Sequence, residues 1–270
     1  MTDRPSWVPA NVDITRPSAA RVYDFGLGGS HNFEADREFV RKLFAIMPDG
    51  LMIPQENRSF LRRAVQYLCA AGIDQFLDLG SGIPTVGNVH EIAQQANPQA
   101  RVVYVDHDPV AVAHSQRLLA DDDLTAVLSA DLCAAGSLLA HRPLRAHLDL
   151  SRPVAVLMVA VLHLVPDEKH PAAFIAEYMQ AVAPGSYLVI SHLSSDGRED
   201  AVKTMEFFNR PGSPSPMYLR SREEITALFG GVTMVEPGVV RIPQWRPESP
   251  DETTLDAESY PGFAGVGRRD

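Results

Sequence analysis

From Glu34 onward, apolar residues return at helical spacing, at Phe39, Val40, Leu43, Phe44 and Met47, until Pro48 and Gly50 interrupt them. The pattern predicts an amphipathic helix ended by a turn. A second helical face follows in Phe60, Leu61, Ala64, Val65 and Leu68, with Gly72 placed where a glycine closes a helix. Beyond it the rhythm changes. Five short apolar runs, 75–79, 101–105, 125–129, 154–159 and 187–191, begin 26, 24, 29 and 33 residues apart. Each gap is long enough for the crossover that joins parallel strands. The runs are apolar throughout, so both faces of their sheet are expected to be covered, and the chain is predicted to be α/β with a doubly wound sheet.

The flanks are less regular. Residues 1–20, rich in proline and polar groups, predict a flexible N-terminal arm lying on another surface. Residues 194–218 carry Pro211, Pro214 and Pro216 among Met205, Phe207, Phe208, Met217 and Tyr218, and a long loop with large apolar groups is expected to cover a site. Ser221 with Glu224 forms a capping box that opens a helix including Ile225, Leu228 and Phe229. Residues 232–235 and 239–242, joined through Glu236, Pro237 and Gly238, read as a hairpin at the sheet edge, and 246–270 as a tail of low periodicity.

Composition narrows the function. Over 270 residues, 45% are apolar and 21% charged, ordinary values for a folded chain. With 24 basic against 34 acidic residues the net charge is −10, and no basic stripe is present to neutralise phosphates, so no nucleic-acid partner is expected. Cys69 and Cys133 make neither a disulfide framework nor a zinc pattern. With no apolar leader and no stretch of ~18 apolar residues, the expectation is a cytoplasmic protein without membrane contact.

The chemistry concentrates at F-L-D-L-G-S-G, residues 76–82, where a strand should turn into a helix. Gly80 and Gly82 let backbone approach a ligand, and Asp78 sets a carboxylate at the strand's carboxyl end. Asp106 ends the second run 24 residues beyond Gly82, the separation at which a carboxylate accepts both hydroxyls of a ribose. Asp108, before Pro109, suits a helix N-cap instead, so Asp106, His107 and Asp108 are not read as a metal site. Asp131, in S-A-D-L after the third run, is placed either to accept from an adenine amino group or to cap a helix. The dinucleotide fingerprint G-x-G-x-x-G lacks its third glycine, with Thr85 in that place. An adenosyl ligand without a pyrophosphate fits better.

Taken in order, the helical preface, D-L-G-S-G, the strand-end Asp106, A-D-L and the closing hairpin resemble the class I S-adenosylmethionine-dependent methyltransferases. More narrowly, R-V-Y-D-F-G-L-G-G-S-H-N-F (21–33), E-N-R-S-F-L-R-R-A-V (56–65) and E-P-G-V-V (236–240) look like a bacterial family of S-adenosyl methyltransferases. The resemblance implies a Rossmann-like seven-stranded sheet in a cofactor-binding domain over 73–245, with a helical cap over 21–72. It implies S-adenosylmethionine held by Asp78, Gly80, Gly82, Asp106 and Asp131, with their neighbours Ser81, His107 and Leu132. The N-terminal segment would close over it through Tyr23, Gly29, His31 and Asn32, and Arg58 would meet the methionyl carboxylate.

The implied reaction is an in-line displacement at the sulfonium methyl, for which alignment supplies much of the rate. His163 after the fourth run and His192 after the fifth are the candidate bases, with structural histidines as the other reading of both. No N-P-P-Y or D-P-P-Y tetrapeptide marks a nucleobase or glutamine acceptor, so a small, partly apolar molecule under residues 194–218 is expected. A non-catalytic S-adenosylmethionine sensor and a nicotinamide oxidoreductase are the alternatives. The oligomeric state is left open.

Overall fold

The computed structural model describes residues 8, 12–48, 50–85, 87–249 and 257–270. Three helices, α1 (Ala19–Gly26), α2 (Glu34–Ile46) and α3 (Met52–Ala70), precede the first strand. α2 starts where the Asp36 carboxylate turns back to accept from the Phe33 amide at 2.8 Å. The same carboxylate pairs with Arg21 at 2.9 Å, both side chains enclosed, so one aspartate both caps α2 and ties α1 to it. α3 ends as the spacing predicts, with Gly72 at φ +89° just beyond it.

The five predicted strands all form: β1 (Gln75–Leu79), β2 (Arg101–Asp106), β3 (Thr125–Ser129), β4 (Ala155–Val159) and β5 (Tyr187–Leu193). They lie parallel in the order β3-β2-β1-β4-β5. The crossovers carry α4 (Val89–Ala96), α5 (Pro109–Leu118), the short α6 (Ala135–Leu139) and α7 (Arg142–His147), and α8 (Pro171–Ala181). Alternate residues of each strand feed opposite faces. Leu77, Val156 and Met158 pack with Phe174 and Tyr178 on one side, while Phe76, Leu157 and Val189 meet Phe60, Ala64 and Trp245 on the other. Connections from β1 and β4 leave in opposite directions, which opens a crevice at the carboxyl ends of these strands.

The C-terminal half departs from the sequence expectation. Residues 194–218 are not one loop, because α9 (Glu199–Phe208) occupies the middle. After α10 (Arg222–Ala227), β6 (Thr233–Met234) and β7 (Val240–Arg241) do not pair as a hairpin. Both pair antiparallel with β8 (Gly262–Arg268), which is inserted between them and β5. Among the described residues, eight strands therefore fill seven positions, β6 and β7 sharing the last. The stretch read as a tail supplies an interior strand, next to the sheet edge. Its glycines disguised it: a Cβ on Gly265 would sit 3.1 Å from Phe229, Met234 and Val239 atoms, so the close packing of this edge requires a residue type that otherwise weakens strands. At the other terminus, Val8 and Val12 are buried against Ile83, Val110 and Ala111. That part of the arm is packed on the start of α5 instead of lying free.

Candidate functional site

A cavity of about 500 Å³ opens at the crevice, bounded below by the carboxyl ends of β1, β2, β4 and β5 and above by α1, α2 and α3. Its size is that of a small-molecule site. Gly80 and Gly82 line it at φ +76° and +65°. A Cβ on Gly80 would run into the Val161 side chain, so glycine is required there twice over, by dihedral and by space. The Gly80 and Ser81 amides both donate to Val105 O, at 2.8 and 3.1 Å, which pins the loop to β2.

Asp106 faces this loop. Its Oδ2 accepts from the Gly82 amide at 2.7 Å and its Oδ1 from the Asp108 amide at 2.8 Å, so the carboxylate is oriented while each oxygen keeps a second lone pair. Burial raises its pKa, and the two amides oppose the rise. Asp108 does a separate job, accepting from Val110 and Ala111 amides at 2.8 and 3.2 Å to cap α5. The Ser18 hydroxyl also donates to it, bringing the N-terminal segment to the rim.

At the end of β1, burial pushes the Asp78 carboxyl up to about 7; Arg58 opposes the shift and Asp106 adds to it. Arg58, on α3, stands with its guanidinium carbon 6.0 Å from the Tyr23 ring centre. Its buried Nε has no hydrogen-bond partner. An arginine and an aspartate thus line the same cavity with hydrogen-bonding capacity unspent. The next residue, Asn57, holds the surroundings rigid. Asn57 Nδ2 donates to Tyr23 Oη at 2.8 Å, while Ser191 Oγ donates to Asn57 Oδ1 at 2.6 Å and accepts from the Ala160 amide at 2.9 Å. α1, α3 and β5 are joined through that single amide side chain, and Ser191 carries the link on to the end of β4.

Of the residues predicted from sequence, Tyr23, Arg58, Asp78, Gly80, Ser81, Gly82, Asp106, His107, His163 and His192 line the cavity. Gly29, His31, Asn32, Asp131 and Leu132 do not. The first three build a turn around the buried Asp24, whose Oδ2 accepts from the His31 amide and from Asn32 Nδ2, both at 2.9 Å. Asn32 Nδ2 also reaches Gly29 O at 2.8 Å, and a Cβ on Gly29 would collide with Asp24. His31 packs its ring 3.6 Å from that of His114 on α5. Asp131 is exposed and accepts from the Cys133 amide at 2.8 Å, and Leu132 lies in the core with its carbonyl bonded to Tyr178 Oη.

The two histidines differ in what they have left to offer. His192 has no exposed surface; its Nδ1 bonds Leu193 O at 2.6 Å and its Nε2 meets Arg220 at 2.7 Å. Since the guanidinium can only donate, Nε2 is the acceptor and its lone pair is committed. Burial, with Arg220 beside it, takes His192 down to about 3. His163, likewise lowered to about 3 by burial and by His192 and Arg220, has a buried Nδ1 with no partner.

Sequence reasoning missed Asn57, Ser191, Asp24 and Arg220. Asn57 sits three and four positions before Phe60 and Leu61, a polar residue on an apolar helical face, and that was the available signal. Arg220 gave none. It is enclosed by Leu162 O, Val165 O and Asp167 as well as His192, contacts that only the fold assembles. Among the described residues no three His, Cys, Asp or Glu side chains are grouped to hold a metal ion, and no helix is long and apolar enough to cross a membrane.

A parallel sheet with a glycine loop after its first strand, a carboxylate ending its second and an antiparallel strand inserted beside its fifth defines the class I methyltransferase fold. The comparisons narrow this. The model of the S-adenosyl methyltransferase family matches residues 5–270, and the chain belongs to that family. A candidate methyltransferase from Thermobifida fusca is 42% identical, with 98% of this chain and 100% of that one aligned at a TM-score of 0.91. A duf574 family protein from Streptomyces avermitilis is 35% identical over 96% and 99% of the two chains, at 0.90. A 63-residue stretch is 40% identical to ribosomal RNA small subunit methyltransferase H of Halorhodospira halophila, covering 23% of this chain and only 19% of that protein. The protein is an S-adenosylmethionine-dependent methyltransferase.

Proposed function

We propose that the enzyme methylates a small molecule, and that Asp78, Arg58, Tyr23, Gly80, Ser81, Gly82, Asp106 and His107 hold the cofactor under the helical cap of residues 21–72. The observation that carries the reading is the unspent pair in the cavity: a buried arginine nitrogen without a partner and an aspartate raised to about 7. The residues fit S-adenosylmethionine. Arg58 suits the methionyl carboxylate, Asp78 the ammonium, and the oriented Asp106 carboxylate the two ribose hydroxyls. When bound, the sulfonium supplies an already activated methyl group. The chain's own residues align the acceptor, exclude water and hold a proton acceptor in place.

His163 is the candidate base of the two histidines, because its Nδ1 is unengaged. Asp131 and Leu132, outside the cavity lining, receive no ligand contact in this reading. The net charge of −10 favours a small acceptor over nucleic acid, and the half-buried free thiols of Cys69 and Cys133 suit the reducing cytoplasm. Two experiments test this. S-adenosylhomocysteine is expected to bind the native protein in calorimetry and not Asp106→Ala, with NADH silent; unimpaired binding by the variant removes Asp106 from the site. Methyl-labelled cofactor incubated with cell extract is expected to label material below about 1 kDa; label confined to RNA or protein refutes the small-molecule acceptor.

A further inference from the structure

Past the cofactor residues, the cavity continues between α2, α9 and residues 214–217. Its wall there is built from apolar side chains such as Leu43, Met47, Leu61, Phe208, Met217 and Ile242. Among the described residues, the Asp, Arg, Glu and Lys side chains that line the cavity are Arg58, Asp78, Asp106 and Asp108, all in the cofactor half. Among the described residues, the acceptor half carries no formal charge.

Two polar side chains interrupt this wall without finding partners. His163, after β4, and Thr204, on α9, are each 7% exposed, and His163 Nδ1 and Thr204 Oγ1 are buried with no hydrogen bond. Both residues line the cavity. Asn57, Ser191 and His192, its polar neighbours, are already bonded within the protein. An unmet buried polar group is costly, so two in one cavity mark where a ligand brings complementary atoms. His163 is fixed for this purpose. The Tyr218 amide donates to its carbonyl at 2.8 Å, and its ring stands edge-on to His192, centres 5.7 Å apart.

We infer that the methyl acceptor is an uncharged, largely apolar molecule, such as a phenol or hydroxylated polycycle, that presents its reacting hydroxyl to His163 and a second oxygen function to Thr204. The inference rests on the methyltransferase reading of the adjoining site. Charge selects against the other classes: a carboxylate acceptor needs a cation, and Arg58 serves the cofactor; an ammonium needs a carboxylate, and none of the described residues of this half supplies one. Either would bury an unpaired charge. A hydroxyl matches His163, which stays neutral through the physiological range and accepts at Nδ1 in its Nε2–H tautomer. In the transfer, the hydroxyl oxygen bonds to the methyl carbon as the carbon–sulfur bond breaks and leaves its electron pair on sulfur. The hydrogen bond to His163 Nδ1 orients the hydroxyl, and its proton is released to water as the sulfonium loses its charge.

Four probes of one shape test this on the full chain, with and without S-adenosylhomocysteine: 1-naphthol, naphthalene, 1-naphthoate and 1-naphthylmethylammonium, followed by fluorescence. The expectation is that 1-naphthol binds about tenfold or more tightly than the other three. His163→Leu is expected to cut its advantage over naphthalene by about five- to tenfold while naphthalene affinity holds, and Thr204→Val to abolish the gain in affinity that a second hydroxyl, as in 1,5-dihydroxynaphthalene, brings over 1-naphthol. A merely structural role for His163 lowers both affinities together. Tightest binding of a charged probe, equal binding of naphthol and naphthalene in the native protein, or binding of none of the four overturns the inference. A 1-naphthol preference in a protein that does not bind S-adenosylhomocysteine counts against the cofactor reading instead.

Discussion

Asp78 links cofactor binding to pH in a way that the structure makes quantitative. In the ligand-free protein burial holds its pKa near 7, about three units above a free aspartate, whereas a methionyl ammonium beside it favours the ionised form and returns the pKa to the ordinary range or below. The ligand therefore binds the deprotonated fraction, and the apparent Kd scales as one plus the ratio of protonated to ionised Asp78. Taking about 7 for the free protein, that factor is roughly 1.1 at pH 8 and about 11 at pH 6, a tenfold loss of affinity by linkage. Binding at pH 7 should release about half a proton. Calorimetry with S-adenosylhomocysteine at both pH values, in two buffers of different ionisation enthalpy, reads affinity and proton release together. Asp78→Asn should bind weakly with a flat profile over this range. A flat profile in the native protein, or a slope that survives in Asp78→Asn, refutes the argument that this carboxyl meets the ammonium.

Four stability predictions follow from the same contacts. Gly80→Ala forces a left-handed dihedral on an L-residue and drives a methyl group into Val161; a loss of about 2–4 kcal/mol is expected in urea unfolding, and a loss below about 0.5 kcal/mol would show that the loop yields. Asn57→Leu removes the acceptor of Ser191 Oγ and the donor to Tyr23 Oη, so stability should fall by about 1–3 kcal/mol, measured by thermal melting. Arg220→Met removes the donor to Leu162 O, Val165 O and His192. Leaving these three buried acceptors unmet should cost about 3 kcal/mol or more and raise the His192 pKa, followed by NMR titration, because Arg220 lowers it. Histidines 163, 192 and 114, lowered to about 3, 3 and 4, are neutral in the fold and protonated when unfolded below their ordinary pKa. Stability should thus decline as pH falls from about 6.5 towards 4, the three large histidine shifts outweighing the opposite trend of the raised carboxyls of Asp78, Asp106 and Asp24; denaturant midpoints that rise on acidification would contradict this.

Periodicity alone located α2, α3 and all five parallel strands, because a buried strand and an amphipathic helix each impose a local repeat that the chain cannot hide. Local rules were equally sufficient at Gly72, Asp108 and the Ser221–Glu224 box, where the capping partner lies within a few residues. The glycine loop and Asp106 were legible for a related reason: each sits at a strand end whose position the strand pattern fixes. What sequence could not supply was pairing over distance. β8 reads as loop because its glycines answer to Phe229, Val232 and Val239, residues brought there by the last turns of the sheet. Asp131 shared the strand-end position of Asp106, yet its loop turns it outward to bond Cys133 instead. His163 and His192 were indistinguishable along the chain. Only the fold sets Arg220 against His192 and leaves His163 unpaired, since the interactions that spend or spare a lone pair come from segments 28 and more residues away.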